Sequence, residues 1–221
     1  MDFLLTLLLL LNNKLDTTHF FQEEKKIKNV SVSNKKKHFL SLMVVPVEDV
    51  HQKLMNRYER VLKTLADGNT TVEIENLKKE YRAKDNEDLL ARLKPHPVSI
   101  TLAQAAMESS WATSRFFKEA NNVFGMWSSN SREKRIAAAE KRDGNTTIWL
   151  RRFDTIEDSI RAYYELISKA KPYAKFRKLR LESDNPYIIT QGLDKYSELG
   201  QTYVNKINSV IRHNNFTKYD K

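Results

Sequence analysis

The chain has 221 residues, 40% of them hydrophobic, and 38 Lys and Arg against 28 Asp and Glu, a net charge of +10. That is enough apolar material for one core, while only five Gly and five Pro argue against a many-turned all-β fold and the lack of Cys excludes both a disulfide framework and a thiolate zinc site. The basic excess suits an anionic partner such as nucleic acid, an acidic membrane or an acidic polymer, and equally suits a soluble basic protein with none.

In chain order, "MDFLLTLLLLLNN" comes first. Its apolar run, Phe3 to Leu11, has the length of a signal-peptide core and is too short to span a bilayer. Asp2 is the only early charge and no small-residue cleavage site follows cleanly, so it reads as an imperfect export signal; an exposed apolar terminus is the alternative. "EEKKIKN" and "NKKKH" make residues 12 to 37 a Lys-rich flexible linker. The expected organisation is an N-terminal segment and linker over 1–36, a helical region over 37–95 and a main domain over 96–215.

Phe39, Leu42, Met43, Val47, Val50, Leu54, Tyr58, Val61, Leu62 and Leu65 recur at spacings of three and four, which predicts a helix. Pro46 should start or kink it, and Asp67-Gly68 should end it. "TVEIENLKKEYRA" and "NEDLLARLK" predict two shorter helices. "PHPVS" is a stiff turn with Ser99 as a candidate N-cap for a helix over about 100–111. "EKRDGNTTIWLRRF" predicts a hairpin. "DTIEDSIRAYYELISKA" predicts an amphipathic helix in which Thr155 and Asp158 form a capping box. Further helices end the chain, the last over about 201–213. The expected class is mainly α, a helical core with a small β-hairpin lobe.

"TLAQAAMESSWATSRF" places one acid, Glu108, in a helix of otherwise buried character. At about 100° per residue Ile100, Ala103, Met107 and Trp111 form a stripe, and Glu108 falls beside it, near Gln104 and Trp111. Desolvation there raises a carboxyl pKa, and a carboxyl protonated near neutral pH can serve as a general acid. A rim glutamate paired with a cation fits the same spacing. "EANNVFGMW" offers Asn121 and Asn122 for amide hydrogen bonds, and Phe124 and Trp127 for stacking on sugar faces; a helix end over a buried Phe124 is the plainer reading.

These segments together resemble the bacterial peptidoglycan N-acetylglucosaminidases of glycoside hydrolase family 73, in particular the Bax-like branch, unrelated to the apoptotic protein of that name. The resemblance rests on Glu108-Ser109-Ser110-Trp111, Asn121-Asn122-Val123-Phe124-Gly125, Phe153-Asp154-Thr155, Ile156 to Ile167, and Tyr196-Ser197, in that order, and covers about 37 to 213. It implies a lysozyme-like fold with the β lobe over a glycan groove, and cleavage of the β-1,4 bond after N-acetylglucosamine. Glu108 matches the family's general acid. Glu140 matches the position of a second carboxylate, which could activate water across a gap of about 6.5–9.5 Å; a substrate-assisted route needs no such base. Tyr196 matches a groove-lining Tyr. Gln104, Trp111, Asn121, Asn122, Phe124 and Trp127 are the expected substrate-binding residues. Ala112 departs from the pattern, where Gly usually follows the motif Trp. No cofactor or metal is implied.

The implied partner is the peptidoglycan glycan strand, not nucleic acid, since no helix-turn-helix, RNA-recognition or zinc signature appears. Lys169, Lys171, Lys175, Arg177, Lys178 and Arg180, with the N-terminal apolar segment, suit wall or membrane association. A periplasmic, cell-envelope or secreted location follows. The alternatives are a muramidase or lytic transglycosylase of the same fold, and a noncatalytic glycan-binding relative.

Overall fold

The computed structural model describes the backbone of residues 17–142 and 146–220, and side chains over 31–138 and 147–220. The apolar run expected as an export signal lies outside the described residues. The chain divides into two compact units, Met1–His38 and Phe39–Lys221. In the first, the described residues belong to α1 (Thr17–Ala66), so the Lys-rich stretch expected to be a flexible linker is helical from Thr17 onward.

In the second unit, the later turns of α1 bury Phe39, Met43, Val47 and Val50 along the predicted stripe. The helix runs through Pro46 without ending. An interior proline costs about 3 kcal/mol; burial of Met43 and Val47 on either side of it offsets that. Thr71 and Asp85 cap α2 (Val72–Tyr81) and α3 (Asn86–Leu93) through their side chains. These helices bury Ile74, Leu77, Tyr81, Leu89 and Leu93 with Val61 in a satellite core.

Helix α4 (Val98–Glu108) is the centre of the main core: Val98 through Ala106 are all buried. A helix apolar around most of its circumference is one surrounded by protein. Ser99 is not its N-cap, contrary to expectation. Asp220, more than a hundred residues away in sequence, accepts from the Ser99 backbone N–H at 2.8 Å. Ser99 is already inside the helix, with Val98 as its first residue, so its hydroxyl is in the wrong place to cap.

After α5 (Arg115–Ala120), strands β1 (Arg135–Arg142) and β2 (Thr146–Arg151) form an antiparallel hairpin. It begins earlier than the sequence suggested, since Arg135 pairs with Arg151. The register shifts between Ala137 and Lys141. Helix α6 (Ile156–Lys169) has the predicted Thr155–Asp158 capping box and buries Ile160, Tyr163, Tyr164 and Ile167. A 3-10 turn (Lys171–Tyr173), α7 (Ala174–Glu182), α8 (Pro186–Ile189), α9 (Gln201–His213) and a last 3-10 turn (Phe216–Tyr219) complete the unit.

Two basic residues expected on the surface are internal. Arg177 donates to the carbonyls of Ile167 and Ala170 at the end of α6, and Arg180 to those of Ala91 and Arg92 at the end of α3. Both are buried, so neither is available to an anionic wall; cations at helix C-termini meet the negative end of the dipole and satisfy terminal carbonyls. Burial, with Arg177 close by, lowers the Arg180 pKa to about 9.

Candidate active site

Glu108 is the last residue of α4, not a residue in mid-helix. Beyond it Ser110, Trp111 and Ala112 all take positive φ, of 52°, 62° and 62°. Ser109 builds this left-handed turn: its Oγ donates to the Ala105 carbonyl at 2.6 Å and accepts from the Ala112 N–H at 2.9 Å. The Trp111 N–H returns to the Ala106 carbonyl at 2.7 Å. The helical i, i+3 neighbourhood of Glu108 and Trp111 therefore does not form. Trp111, partly buried, packs edge-on against Phe39, centroids 5.3 Å apart, and beside Phe216, at the margin of the hydrophobic core.

The rings gathered around Glu108 are tyrosines. Tyr203, on the first turn of α9, donates to Glu108 Oε1 at 2.8 Å. Tyr196 stacks on Tyr203, centroids 5.3 Å apart and planes within 15°. Tyr173 lies beside Tyr196 at 6.0 Å. Burial raises the pKa of Glu108; the Tyr203 hydrogen bond opposes that and is the smaller effect. The half-buried carboxyl therefore has the raised pKa expected of it, through burial among phenols. Desolvation, with the Glu108 charge contributing, raises the pKa of Tyr196, Tyr173 and Tyr203, so the three phenols stay neutral donors.

Of the expected site residues, Glu108 and Tyr196 are brought together. Gln104 is completely buried one hydrogen bond behind them: its Nε2 donates to Tyr203 Oη at 3.0 Å and its Oε1 accepts from Tyr163. It is a support for the acid, with no surface to offer a sugar. Asn122 is likewise buried, and its amide donates to the carbonyls of Met126 and Arg151 and accepts from the Met126 N–H. That fixes the 122–126 loop to β2 and leaves the side chain engaged. Asn121 ends α5 in the left-handed region and donates to the carbonyls of Phe153 and Asp154. Phe124 is buried and stacks on Tyr163 at 4.1 Å, so it is a core ring and not a sugar platform.

Trp127 is 63% exposed and bridges to Leu150 of β2, an aromatic face at the edge of the hairpin. Glu140 falls in β1, between the paired positions where the register shifts; its side chain lies outside the described residues. Glu133 is engaged by Arg151 at 3.2 Å. Tyr203, Tyr173 and Ser109 were missed in the sequence. A tyrosine heading the apolar stripe of α9 was the available signal, because a buried phenol needs a partner for its hydroxyl.

A helical core with a small two-stranded antiparallel lobe is the architecture of the lysozyme-like fold class. Residues 83–216 match the model of the glucosaminidase family, described as mannosyl-glycoprotein endo-beta-N-acetylglucosaminidase, and the chain belongs to that family. It is similar to the protein bax of Escherichia coli (strain K12), 28% identical over 132 residues. That match takes in 57% of this chain and 46% of the relative, so the chain spans about half the length of the curated relative it matches. Among solved structures, the catalytic domain of the autolysin Auto from Listeria monocytogenes superimposes with a TM-score of 0.53 at 19% identity, covering 89% of this chain and 97% of that one. An N-acetylmuramoyl-L-alanine amidase from Staphylococcus aureus gives 0.56 at 18%, covering 85% and 44%. At these identities the two structures establish the fold.

Proposed function

We propose that the protein hydrolyses peptidoglycan at the β-1,4 bond after N-acetylglucosamine, with Glu108 as general acid. The observation that carries this is the half-buried Glu108 carboxyl, its pKa raised by burial, at the end of α4 with a neutral tyrosine donor on one oxygen. A carboxyl in that state can deliver a proton to the glycosidic oxygen as the C1–O bond breaks. Membership of the glucosaminidase family and similarity to the bax protein support the substrate class. The hydroxyl of water then joins C1 and its proton passes to a base. Glu140 is the residue proposed for that step; if it is dispensable, the sugar's own acetamido oxygen attacks C1 as the leaving group departs, and the Glu108 carboxylate takes the proton of the water that then opens the intermediate. Tyr196, partly buried beside Tyr203, is proposed to hold the acetamido group or the water. Trp127 is proposed at the outer sugar contacts, with Asn121 offering only its amide oxygen, since its N–H groups are held by the Phe153 and Asp154 carbonyls.

With that activity goes a proposed location in the periplasm, the cell envelope or outside the cell. Among the described residues no helix is long and apolar enough to cross a membrane. The deciding experiment is a zymogram on purified peptidoglycan with wild type, Glu108→Gln and Glu140→Gln. Glu108→Gln is expected to stay folded and lose nearly all activity; full activity would remove the acid from this residue. An unchanged Glu140→Gln points to the substrate-assisted route. Mass spectrometry of the products separates the readings: a reducing N-acetylglucosamine end, a reducing muramic acid end for a muramidase, or an anhydro sugar for a transglycosylase.

A further inference from the structure

A chain of hydrogen bonds runs from Glu108 into the core. Tyr203 Oη donates to Glu108 Oε1 at 2.8 Å, Gln104 Nε2 donates to Tyr203 Oη at 3.0 Å, and Tyr163 Oη donates to Gln104 Oε1. His96 Nε2 lies 3.2 Å from Tyr163 Oη and 2.9 Å from Thr101 Oγ1. Gln104, Tyr163 and His96 are completely buried and Tyr203 nearly so.

The inner end dictates the direction of the chain. His96 Nδ1 is buried and has no hydrogen-bond partner among the described residues. A buried acceptor without a donor is tolerated better than an orphaned N–H. The ring proton therefore sits on Nε2, and burial keeps the imidazole neutral. A protonated Nε2 offers Tyr163 no lone pair, so the Tyr163 hydroxyl gives its proton to Gln104 Oε1. With Oε1 taken, the amide turns its N–H groups to Tyr203. The Tyr203 hydroxyl, accepting from Gln104, donates its one proton to Glu108.

We propose that Gln104, oriented by Tyr163 and His96, is a positioning residue that obliges Tyr203 to donate to Glu108, so that Oε1 is always an acceptor and the acid's proton resides on Oε2. This sets which oxygen delivers the proton. It rests on the reading of Glu108 as the acid, and it concerns atoms behind the carboxyl that touch no substrate.

The test is the titration of the Glu108 carboxyl carbon by NMR in protein labelled at its glutamate side chains, the resonance assigned by its loss in Glu108→Gln. Gln104→Met keeps the volume and removes the N–H. Tyr203 can then accept from the protonated carboxyl, the neutral form gains a bond, and the midpoint rises by about one pH unit. The titratable groups facing the carboxyl are Tyr203 on α9, Tyr196 in the loop before it and Tyr173 in the turn after α6. All are neutral phenols in that range, so the shift is not theirs. In a Tyr203→Phe background Gln104→Met is expected to add nothing, because it acts only through that hydroxyl. Should thermal unfolding show Gln104→Met to have lost its fold, Tyr163→Phe, which frees the amide to rotate, is read for a rise of the same sign. A midpoint that stays or falls in the folded variant overturns the proposal, as does a shift that persists without the Tyr203 hydroxyl. Full hydrolysis by Glu108→Gln would overturn the acid and leave the titration result standing.

Discussion

At Glu108 burial and the Tyr203 hydrogen bond pull in opposite directions, and burial prevails. A carboxyl whose folded pKa lies above its unfolded value holds its proton more tightly in the native state. Its contribution to stability is fully present below the unfolded pKa and is lost as pH rises through the folded pKa. Glu108→Gln mimics the protonated form. Its melting temperature should therefore match wild type near pH 4 and exceed it near pH 7, a comparison made by calorimetry at both values; a gap independent of pH would contradict the raised pKa. The residue scale is also where sequence reasoning was weakest. Glu108 was legible because an acid in an apolar helix has few purposes. Gln104, Asn122 and Phe124 have the right chemistry for sugars, and nothing local in the sequence says that Tyr163, Met126 and Arg151 already engage them.

The element that shapes the site is the left-handed turn over Ser110 to Ala112. Its conformation gives a physical reason for the expected Gly after the tryptophan: Ala112, with φ of 62°, has a Cβ in a region that suits glycine. Relief of that strain is worth about 1–2 kcal/mol and the added freedom of the unfolded chain costs about 0.4–1 kcal/mol. Ala112→Gly is accordingly expected to stabilise by about 0.5–1 kcal/mol, read from denaturant unfolding midpoints. A loss of stability would mean that the methyl group, which is buried, contributes more by packing than it costs in strain. Helices were largely legible here because the periods of three and four are strong in α1, α6 and α9. The turn was not, because its three positive-φ residues are not glycines. The hairpin was half legible: Thr146 to Phe153 read as a strand, of which Thr146–Arg151 is one, while the Lys- and Ala-rich partner lacked alternation.

Across the whole molecule, long-range contacts decide what the local pattern cannot. Asp220 caps α4 from the other end of the chain, and Arg177 and Arg180 from α7 close the ends of α6 and α3. Such partners have no fixed spacing, so a row of basic residues was read as open to wall association when two of its members are internal. Asp220→Ala removes the side-chain acceptor at the start of α4 and should cost about 1 kcal/mol, measured by urea unfolding. An unchanged midpoint would show that another group satisfies the Ser99 N–H. Of the basic row, Lys171, Lys175 and Lys178 are the exposed members.

Because the left-handed turn ends α4 at Glu108, the carboxyl sits where the aligned peptide dipoles of that helix present their electronegative pole. That pole repels an anion, an effect of about 0.3–1 kcal/mol, and so adds to the retention of the proton. The backbone itself thus biases the group toward neutrality, and exchanging the surrounding phenols one by one would not return it to the behaviour of a glutamate in water.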